Sequence, residues 1–302
     1  MRTKGYRWLG AAIGAITLAA CSGGGSDSGG SSTLSVSLMD APADNVTEVQ
    51  VQIKALWLKP QGQGPAIELK LASPTVTVDL LDHATETTAA VLLDSVSIPA
   101  GAYEWLEMEV NAEFDNVYDS FVMTTAGGQE ELRVPSRRVR LVSGFDVGQN
   151  EAVKLIFDWS VRQGLVDPPG APGYLLKPAF RMIDVTEYGS LSGTVAAATI
   201  TGDTDCAADD PDYDVGNVVY IFAGTGITPD DIDGAAPEPI ATAELTPNAN
   251  GDYAYRAILA PGSHTATFTC QAGNDDPATD DVLEFSAPVD VTITGAAIVQ
   301  DF

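Results

Sequence analysis

Alternation of apolar and polar residues with a period of two runs through most of the chain. Residues 34–38 and 49–55 place every second, apolar side chain on one face, and residues 106–114 alternate apolar residues with glutamates. Further runs typical of strands lie at 75–80, 139–142, 153–159, 180–185, 218–222 and 265–269. A short helical turn is suggested only at residues 82–92. The pattern predicts an all-β fold in which pairs of sheets pack face to face.

The acidic residues divide the chain into two parts. Residues 22–188 hold 23 acidic and 11 basic residues, whereas residues 189–302 hold 19 acidic residues and a single basic one, Arg256. Turns rich in Gly, Pro, Asn and Asp interrupt both parts. We therefore predict two β-sandwich domains in tandem, at residues 33–187 and 188–302.

The first 20 residues have the layout of a secretory signal peptide. A short basic stretch precedes the apolar run Trp8–Ala20, which is too short to span a bilayer because a spanning helix needs about 20 residues. We expect residues 1–20 to be removed. The Gly- and Ser-rich segment 21–32 is then predicted to be a flexible tether.

The segment Leu18-Ala19-Ala20-Cys21 resembles the lipobox of bacterial lipoproteins. That resemblance implies cleavage before Cys21, attachment of lipid to its sulfur and a membrane partner held through that lipid. Ser22, rather than Asp, implies sorting to the outer membrane. The alternative is an ordinary signal peptide cleaved near an A-x-A site, with Cys21 present by chance.

The first half contains five blocks, at residues 35–44, 79–81, 98–103, 134–136 and 174–178. They occur in the order found in the domain-of-unknown-function family 4382, which this region resembles. The resemblance covers about residues 33–185 and implies a β-sandwich of envelope lipoproteins. The family has no agreed activity, so it implies no functional residues.

The second half contains a G-x-V opening at 191–195, a G-x-Y strand at 250–255 and an L-x-P-G turn at 259–264. These three short blocks resemble the carboxypeptidase-regulatory, transthyretin-like group of small β-sandwiches. The resemblance implies an accessory module that binds, stiffens or spaces, and it implies no catalysis.

The net charge of −27 limits the classes of partner. Nucleic acid and anionic lipid surfaces would be repelled, so no nucleic-acid partner is expected. The charge is explained either by solubility outside the cytoplasm or by cation binding, and the sequence leaves both readings open.

An acidic loop at residues 201–214 is a candidate calcium site, because calcium binds six to eight oxygen ligands. It departs from an EF-hand loop: Ala208 stands where Gly is needed, and the twelfth position lacks Glu. A solvated loop without calcium is the alternative, and no other cofactor is expected. The candidate ligands are Asp203, Asp205, Asp209, Asp210, Asp212 and Asp214.

Once Cys21 is lipidated, Cys206 and Cys270 are the remaining cysteines. Two thiols in one domain of an exported protein predict a disulfide. A zinc site using His264 is a less favoured alternative.

The arginines of residues 133–140 form the only basic cluster of the mature chain. If Val139 and Leu141 point inward, Arg138 and Arg140 point outward, where Glu107 and Glu109 are positioned to pair with them across strands. Capture of an anionic ligand is the alternative.

We expect no enzymatic activity. The two histidines, His83 and His264, fall in different predicted domains, and the chain lacks G-x-S-x-G, H-E-x-x-H and phosphate-loop motifs. The sequence predicts a non-enzymatic lipoprotein at the outer membrane that binds a glycan or protein partner or acts as a scaffold. A periplasm-facing accessory subunit that binds a soluble ligand or calcium is the alternative.

Overall fold

The computed structural model describes residues 32–41, 43, 45–210, 212–213 and 215–302. The predicted signal peptide, the lipidation site Cys21 and Asp214 lie outside the described residues. Ser32, which the sequence assigns to the tether, is buried and opens the first strand. No helix in the described part of the chain has the length and apolar character needed to cross a bilayer.

The first domain is a β-sandwich built from strands that end at Asp184. Its strands are β1 (Ser32–Ala41), β2 (Val46–Pro60), β3 (Ile67–Leu69), β4 (Val76–Asp79), β5 (Ala90–Ile98), β6 (Gly101–Val110), β7 (Phe121–Thr124), β8 (Gln129–Arg133), β9 (Arg138–Leu141), β10 (Phe145–Val147), β11 (Ala152–Ser160), β12 (Leu165–Val166), β13 (Tyr174–Leu176) and β14 (Phe180–Asp184). One short helix, α1 (Val161–Gly164), follows β11, and 3-10 turns lie at Leu80–Asp82 and Pro135–Arg137.

Two sheets form this sandwich. The smaller has the order β14-β11-β1-β5, with β1 parallel to β11. The larger has the order β10-β6-β2-β7-β8-β13-β12, and β3, β4 and β9 pair along β2 and β6. Leu34, Val36 and Leu38 of β1 and Val51 and Ile53 of β2 are fully buried, so the period-two pattern fills the core between the sheets.

The second domain is a smaller β-sandwich that begins at Gly189. Its strands are β15 (Gly189–Val195), β16 (Val218–Ala223), β17 (Pro239–Glu244), β18 (Thr246–Pro247), β19 (Tyr253–Leu259), β20 (Gly262–Thr269), β21 (Val289–Ile293) and β22 (Ala297–Val299). The sheets have the orders β18-β19-β15-β22 and β17-β16-β20-β21. Its helices are α2 (Ala197–Thr201), α3 (Thr204–Asp209) and a 3-10 turn at Ala272–Asn274.

The region 82–92 differs from its predicted helical turn. A 3-10 turn ends at Asp82, and β5 begins at Ala90. The period of β5 is interrupted at Ser95, which has φ of 51°, and the pairing of β5 with β1 shifts register nearby. This bulge hides the alternation on which a strand prediction depends.

An apolar cluster joins the two domains. Its buried members are Met39, Ile156, Ile183 and Ile258, and Val185 and Tyr188 of the connecting segment pack against them. Polar contacts cross the same junction: Arg162 Nη1 donates to Ala272 O (2.7 Å), Gln163 Nε2 donates to Pro239 O (2.7 Å), and Arg256 pairs with Glu86. The end of β11 and helix α1 are therefore fixed against the second domain.

Candidate functional site

The arginine cluster pairs with glutamates of the neighbouring strand, as predicted. Strands β6 and β9 are antiparallel, with Glu107 opposite Arg140 and Glu109 opposite Arg138. Glu107 accepts from Arg138 Nη1 (3.0 Å) and from Arg140 Nε (2.6 Å), although only 2% of its side chain is exposed. The Arg140 guanidinium also lies 4.1 Å from the centroid of the Trp105 ring. These arginines cover the sheet and neutralise its carboxylates.

Two arginines of this cluster line a cleft. It has a volume of about 500 Å³ and is lined by Glu113, Phe114, Arg133, Ser136 and Arg137. Arg137 pairs with Glu113 at 2.5 Å, and the Arg133 guanidinium lies 6.0 Å from the Phe114 ring centroid. Glu113 is therefore a carboxylate within the cleft that already pairs with Arg137. Capture of an anionic ligand by these arginines stays a prediction.

The acidic loop uses several of its carboxylates to hold backbone amides. Asp203 is the N-cap of α3 and accepts from Asp205 N (2.8 Å). Asp210 accepts from Asp212 N (3.1 Å) and Val215 N (3.0 Å). Part of the predicted loop is thus the helix Thr204–Asp209, because Asp203 satisfies the free N–H groups of its first turn.

The predicted disulfide between Cys206 and Cys270 is confirmed, with Cα atoms 5.4 Å apart. It ties α3 to the end of β20. The predicted calcium ligands of the loop are not among the carboxylate groups that converge within the described residues. Calcium binding by the loop stays a prediction.

Carboxylates converge instead on Asp231 of the second domain. Oxygens of Asp231, Asp275 and Asp281 lie within 4.8 Å of one another, and so do those of Asp231, Asp233 and Asp280. We call these five residues the Asp231 cluster. Sequence reasoning missed it because its members come from two segments about 45 residues apart, after β16 and after β20. The visible signal was two acidic runs, at 230–233 and 275–281.

Burial and hydrogen bonds shift the pKa values of Asp275 and Asp231. Asp275 is 5% exposed and accepts from Ile232 N (3.1 Å) and from the Tyr220 hydroxyl. Burial raises its pKa to about 6, and the hydrogen bond from Tyr220 and the charge of Arg162 oppose that rise. Burial also raises the pKa of Asp231, which is 1% exposed.

Asp231 combines one satisfied oxygen with one unsatisfied oxygen. Its Oδ2 accepts from Asp281 N at 2.5 Å. Its Oδ1 is buried and has no hydrogen-bond partner among the described residues. A buried carboxylate oxygen in this condition is uncommon, because desolvation is normally compensated by a donor or a cation.

A cavity of about 250 Å³ lies at the junction of the domains. Asp158, Gln163, Phe180, Arg181 and Ile240 are among its lining residues. Arg181 Nε donates to Asp158 Oδ2 (2.6 Å), whereas the buried Asp158 Oδ1 has no hydrogen-bond partner in the described part of the chain. The cavity therefore places the Phe180 ring beside the Asp158–Arg181 ion pair.

The histidines contact backbone rather than catalytic partners. His83 Nδ1 lies at hydrogen-bond distance from Thr88 O, and His264 Nε2 lies 3.0 Å from Ala260 O. They belong to different domains.

Comparison with known families identifies the first domain. Residues 31–178 match the model described as Domain of unknown function (DUF4382). The resemblance predicted from the five sequence blocks is confirmed, and this segment is a DUF4382 domain. The second half is a β-sandwich, as predicted, and its likeness to the carboxypeptidase-regulatory group stays a prediction. No curated protein matches the chain.

Similar solved structures have low sequence identity to this chain. The Bacillus anthracis TIE protein is 13% identical, with a TM-score of 0.20; 90% of this chain is covered, but the chain spans only 34% of that protein's length. A candidate adhesin from Bacteroides ovatus is 10% identical, with 89% of each chain covered and a TM-score of 0.20. The major pilin from Streptococcus pyogenes is 11% identical, with 91% and 99% covered and a TM-score of 0.17. TM-scores this low support no argument from these proteins to the present chain.

Proposed function

We propose that this chain, whose residues 31–178 are a DUF4382 domain, is a non-enzymatic lipoprotein of the cell envelope. Cys21 anchors it to the outer membrane through lipid. Beyond a short tether, the two β-sandwiches act together as a scaffold or as a binding module for a glycan or protein partner.

The disulfide between Cys206 and Cys270 is the observation that carries this proposal. Disulfides form and persist in oxidising compartments and are rare in the cytosol. Of the three cysteines in the chain, two are bridged, and the third stands in the lipobox-like segment behind an apolar run. Each cysteine therefore has a role that fits export.

The junction between the domains supports a scaffolding role. The apolar cluster that includes Ile258, the contacts of α1 with the second domain and the Arg256–Glu86 pair all cross the interface. Buried apolar and polar contacts of this kind restrict rotation of one domain on the other. The pair of sandwiches would then present its loops in a fixed relative orientation.

Metabolic labelling with a palmitate analogue tests the anchor. The wild-type chain should be labelled and should fractionate with the outer membrane, whereas Cys21→Ser should be unlabelled. The matched control is the double variant Cys206→Ser/Cys270→Ser, which should keep the label. An unlabelled wild-type chain, or a mass that includes residues 1–20, would refute the proposal.

The junction cavity favours a second candidate, a periplasm-facing accessory subunit that binds a small soluble ligand. Gln163 and the Asp158–Arg181 ion pair on its wall are the polar groups that such a ligand would contact. Protease treatment of intact cells separates the candidates. A chain displayed on the surface is cut, and a periplasm-facing chain is protected until the outer membrane is permeabilised.

A further inference from the structure

We propose that the Asp231 cluster is a calcium site that joins two loop segments of the second domain. Asp231 would be the shared ligand, with Asp275 and Asp281 on one side and Asp233 and Asp280 on the other. This site is separate from the acidic loop at 201–214, and it requires neither the lipid anchor nor a binding partner.

The geometry of the carboxylates is the first argument. Asp231 belongs to both groups of three whose oxygens lie within 4.8 Å of one another. A cation at the centre of such a group contacts several carboxylates at once. Without one, ionised oxygens at this spacing repel one another, and burial strengthens the repulsion.

The second and independent argument is Asp231 Oδ1. This oxygen belongs to a residue that is only 1% exposed, and it accepts no hydrogen bond from the described residues. The neighbouring carboxyl groups are better satisfied: Asp275 accepts from Ile232 N and the Tyr220 hydroxyl, and Asp281 Oδ2 accepts from Asp276 N and Thr279 Oγ1. The oxygen that lacks a donor is therefore on the residue common to both groups.

The negative charge of the cluster is not balanced by the basic side chains around it, which favours binding of a divalent cation. Arg162 acts on Asp275 from the first domain, and Asp230 and Asp233 add negative charge beside Asp231. Residues 189–302 contain no Lys or Arg except Arg256, which pairs with Glu86 at the domain junction. One arginine near five aspartates does not balance their charge.

The ligand chemistry selects calcium among common divalent ions. The two groups contain oxygen donors only, without histidine, and Cys206 and Cys270 are bridged, which excludes thiolate ligands of zinc. The ligands lie on irregular segments that follow β16 and β20. Calcium accepts the variable geometry that such segments offer, whereas magnesium demands a near-ideal octahedron.

Calorimetry and thermal denaturation of the full mature chain, each with calcium chloride, test the site. We expect binding with a Kd of about 10⁻⁴–10⁻³ M, as in extracellular calcium modules, and a rise of Tm with calcium concentration. Asp231→Asn should weaken binding by about tenfold or more, because it removes the shared charged ligand. The double variant Asp205→Asn/Asp209→Asn in the acidic loop is the matched control and should bind as the wild type does.

Terbium luminescence sensitised by tyrosine locates the ion independently. Tyr220 contacts Asp275, whereas Tyr213 lies in the acidic loop. Tyr220→Phe should abolish calcium-displaceable luminescence, and Tyr213→Phe should retain it. If Asp231→Asn does not fold, the exposed Asp280→Asn replaces it, with an expected smaller loss of affinity. Absence of heat and of a Tm shift in the wild-type chain overturns the proposal, as does binding that is lost in the loop variants and kept in Asp231→Asn or its replacement.

Discussion

The two sandwiches share an architecture but treat their carboxylates in different ways. In the first domain, Glu107 accepts from two arginines of the next strand, and Asp158 pairs with Arg181 at 2.6 Å. In the second domain, Arg256 is the only basic residue, and Asp203 and Asp210 accept from backbone N–H groups. Backbone donors satisfy oxygens without cancelling charge. The second domain therefore keeps most of its negative charge and depends on other means of stabilisation.

The largest expected difference concerns the disulfide. Replacing Cys206 and Cys270 by serine opens a loop with a sequence separation of 64 and should destabilise the second domain by about 4 kcal/mol in the chain-entropy model. The first domain should be little affected. A chain produced without residues 1–20 lacks Trp8 and keeps Trp57, Trp105 and Trp159, which all lie in the first domain. Its tryptophan fluorescence reports that domain alone, while circular dichroism reports both. If the urea transitions followed by fluorescence and by circular dichroism shift equally in the variant, the disulfide does not stabilise the second domain selectively.

The ion pairs of the first domain are tested at Glu107. Glu107→Ala removes the acceptor of two arginines and should reduce the free energy of unfolding by about 2–3 kcal/mol, less than for a fully buried pair because both arginines are half exposed. Glu109→Ala, which removes one long contact of 3.3 Å, is the matched control and should cost less than about 1 kcal/mol. Tryptophan fluorescence in urea measures both. Equal losses would show that burial of Glu107 adds nothing.

A close backbone approach is tested at Gly193 in the second domain. A Cβ at this position would lie 1.7 Å from Gln300 O, so Gly193→Ala must displace the segment after β22 and should cost about 1–3 kcal/mol. Gly64→Ala, where a Cβ meets nothing within 4 Å, is the control and should be nearly neutral. Circular dichroism in urea follows the loss. An unchanged Gly193→Ala transition would show that the C-terminal segment does not support the sandwich.

Local alternation predicted much of this fold, because the residues of a half-buried strand are alternately apolar on the core face and polar on the solvent face. Strands β2, β6 and β11 and the pairing of Glu107 with Arg140 follow from that period and from outward-facing charge. Strand β5 was missed because its bulge at Ser95 breaks the period. Prediction of strands from local alternation therefore fails where the backbone is irregular.

The Asp231 cluster could not be predicted in the same way. Its two segments lie outside the strands, and only the packing of the loops after β16 and β20 brings Asp231 beside Asp275 and Asp281. Asp203 and Asp210 looked more like calcium ligands because they are close in sequence. Each of them lies only two residues from the backbone N–H that it accepts from, and so it caps a helix or turn instead.

Asp79 of the first domain accepts from backbone N–H groups, as Asp203 and Asp210 do in the second, and it gives the smallest expected effect. It has backbone donors, Val49 N (3.1 Å) and Leu81 N (3.2 Å), and burial raises its pKa above the usual value. A raised pKa means that folding disfavours the charged form, so the penalty is present above the folded-state pKa and disappears as pH falls below the unfolded-state value. Asp79→Asn keeps an acceptor oxygen and removes the charge. It should be as stable as the wild type or more stable by less than about 1 kcal/mol at pH 7, and the gain should vanish in acid.

Urea transitions of wild type, Asp79→Asn and Asp79→Ala, followed by tryptophan fluorescence from pH 7 down to pH of about 3, make this test. Asp79→Ala loses both hydrogen bonds and the N-cap of the turn at Leu80–Asp82, so it should be less stable by about 1–2 kcal/mol at every pH. If Asp79→Asn proves less stable than the wild type at pH 7 and the deficit closes in acid, the negative charge itself stabilises the first domain. Backbone donors would then be sufficient to hold an ionised carboxylate, and the second domain would have less need of a cation.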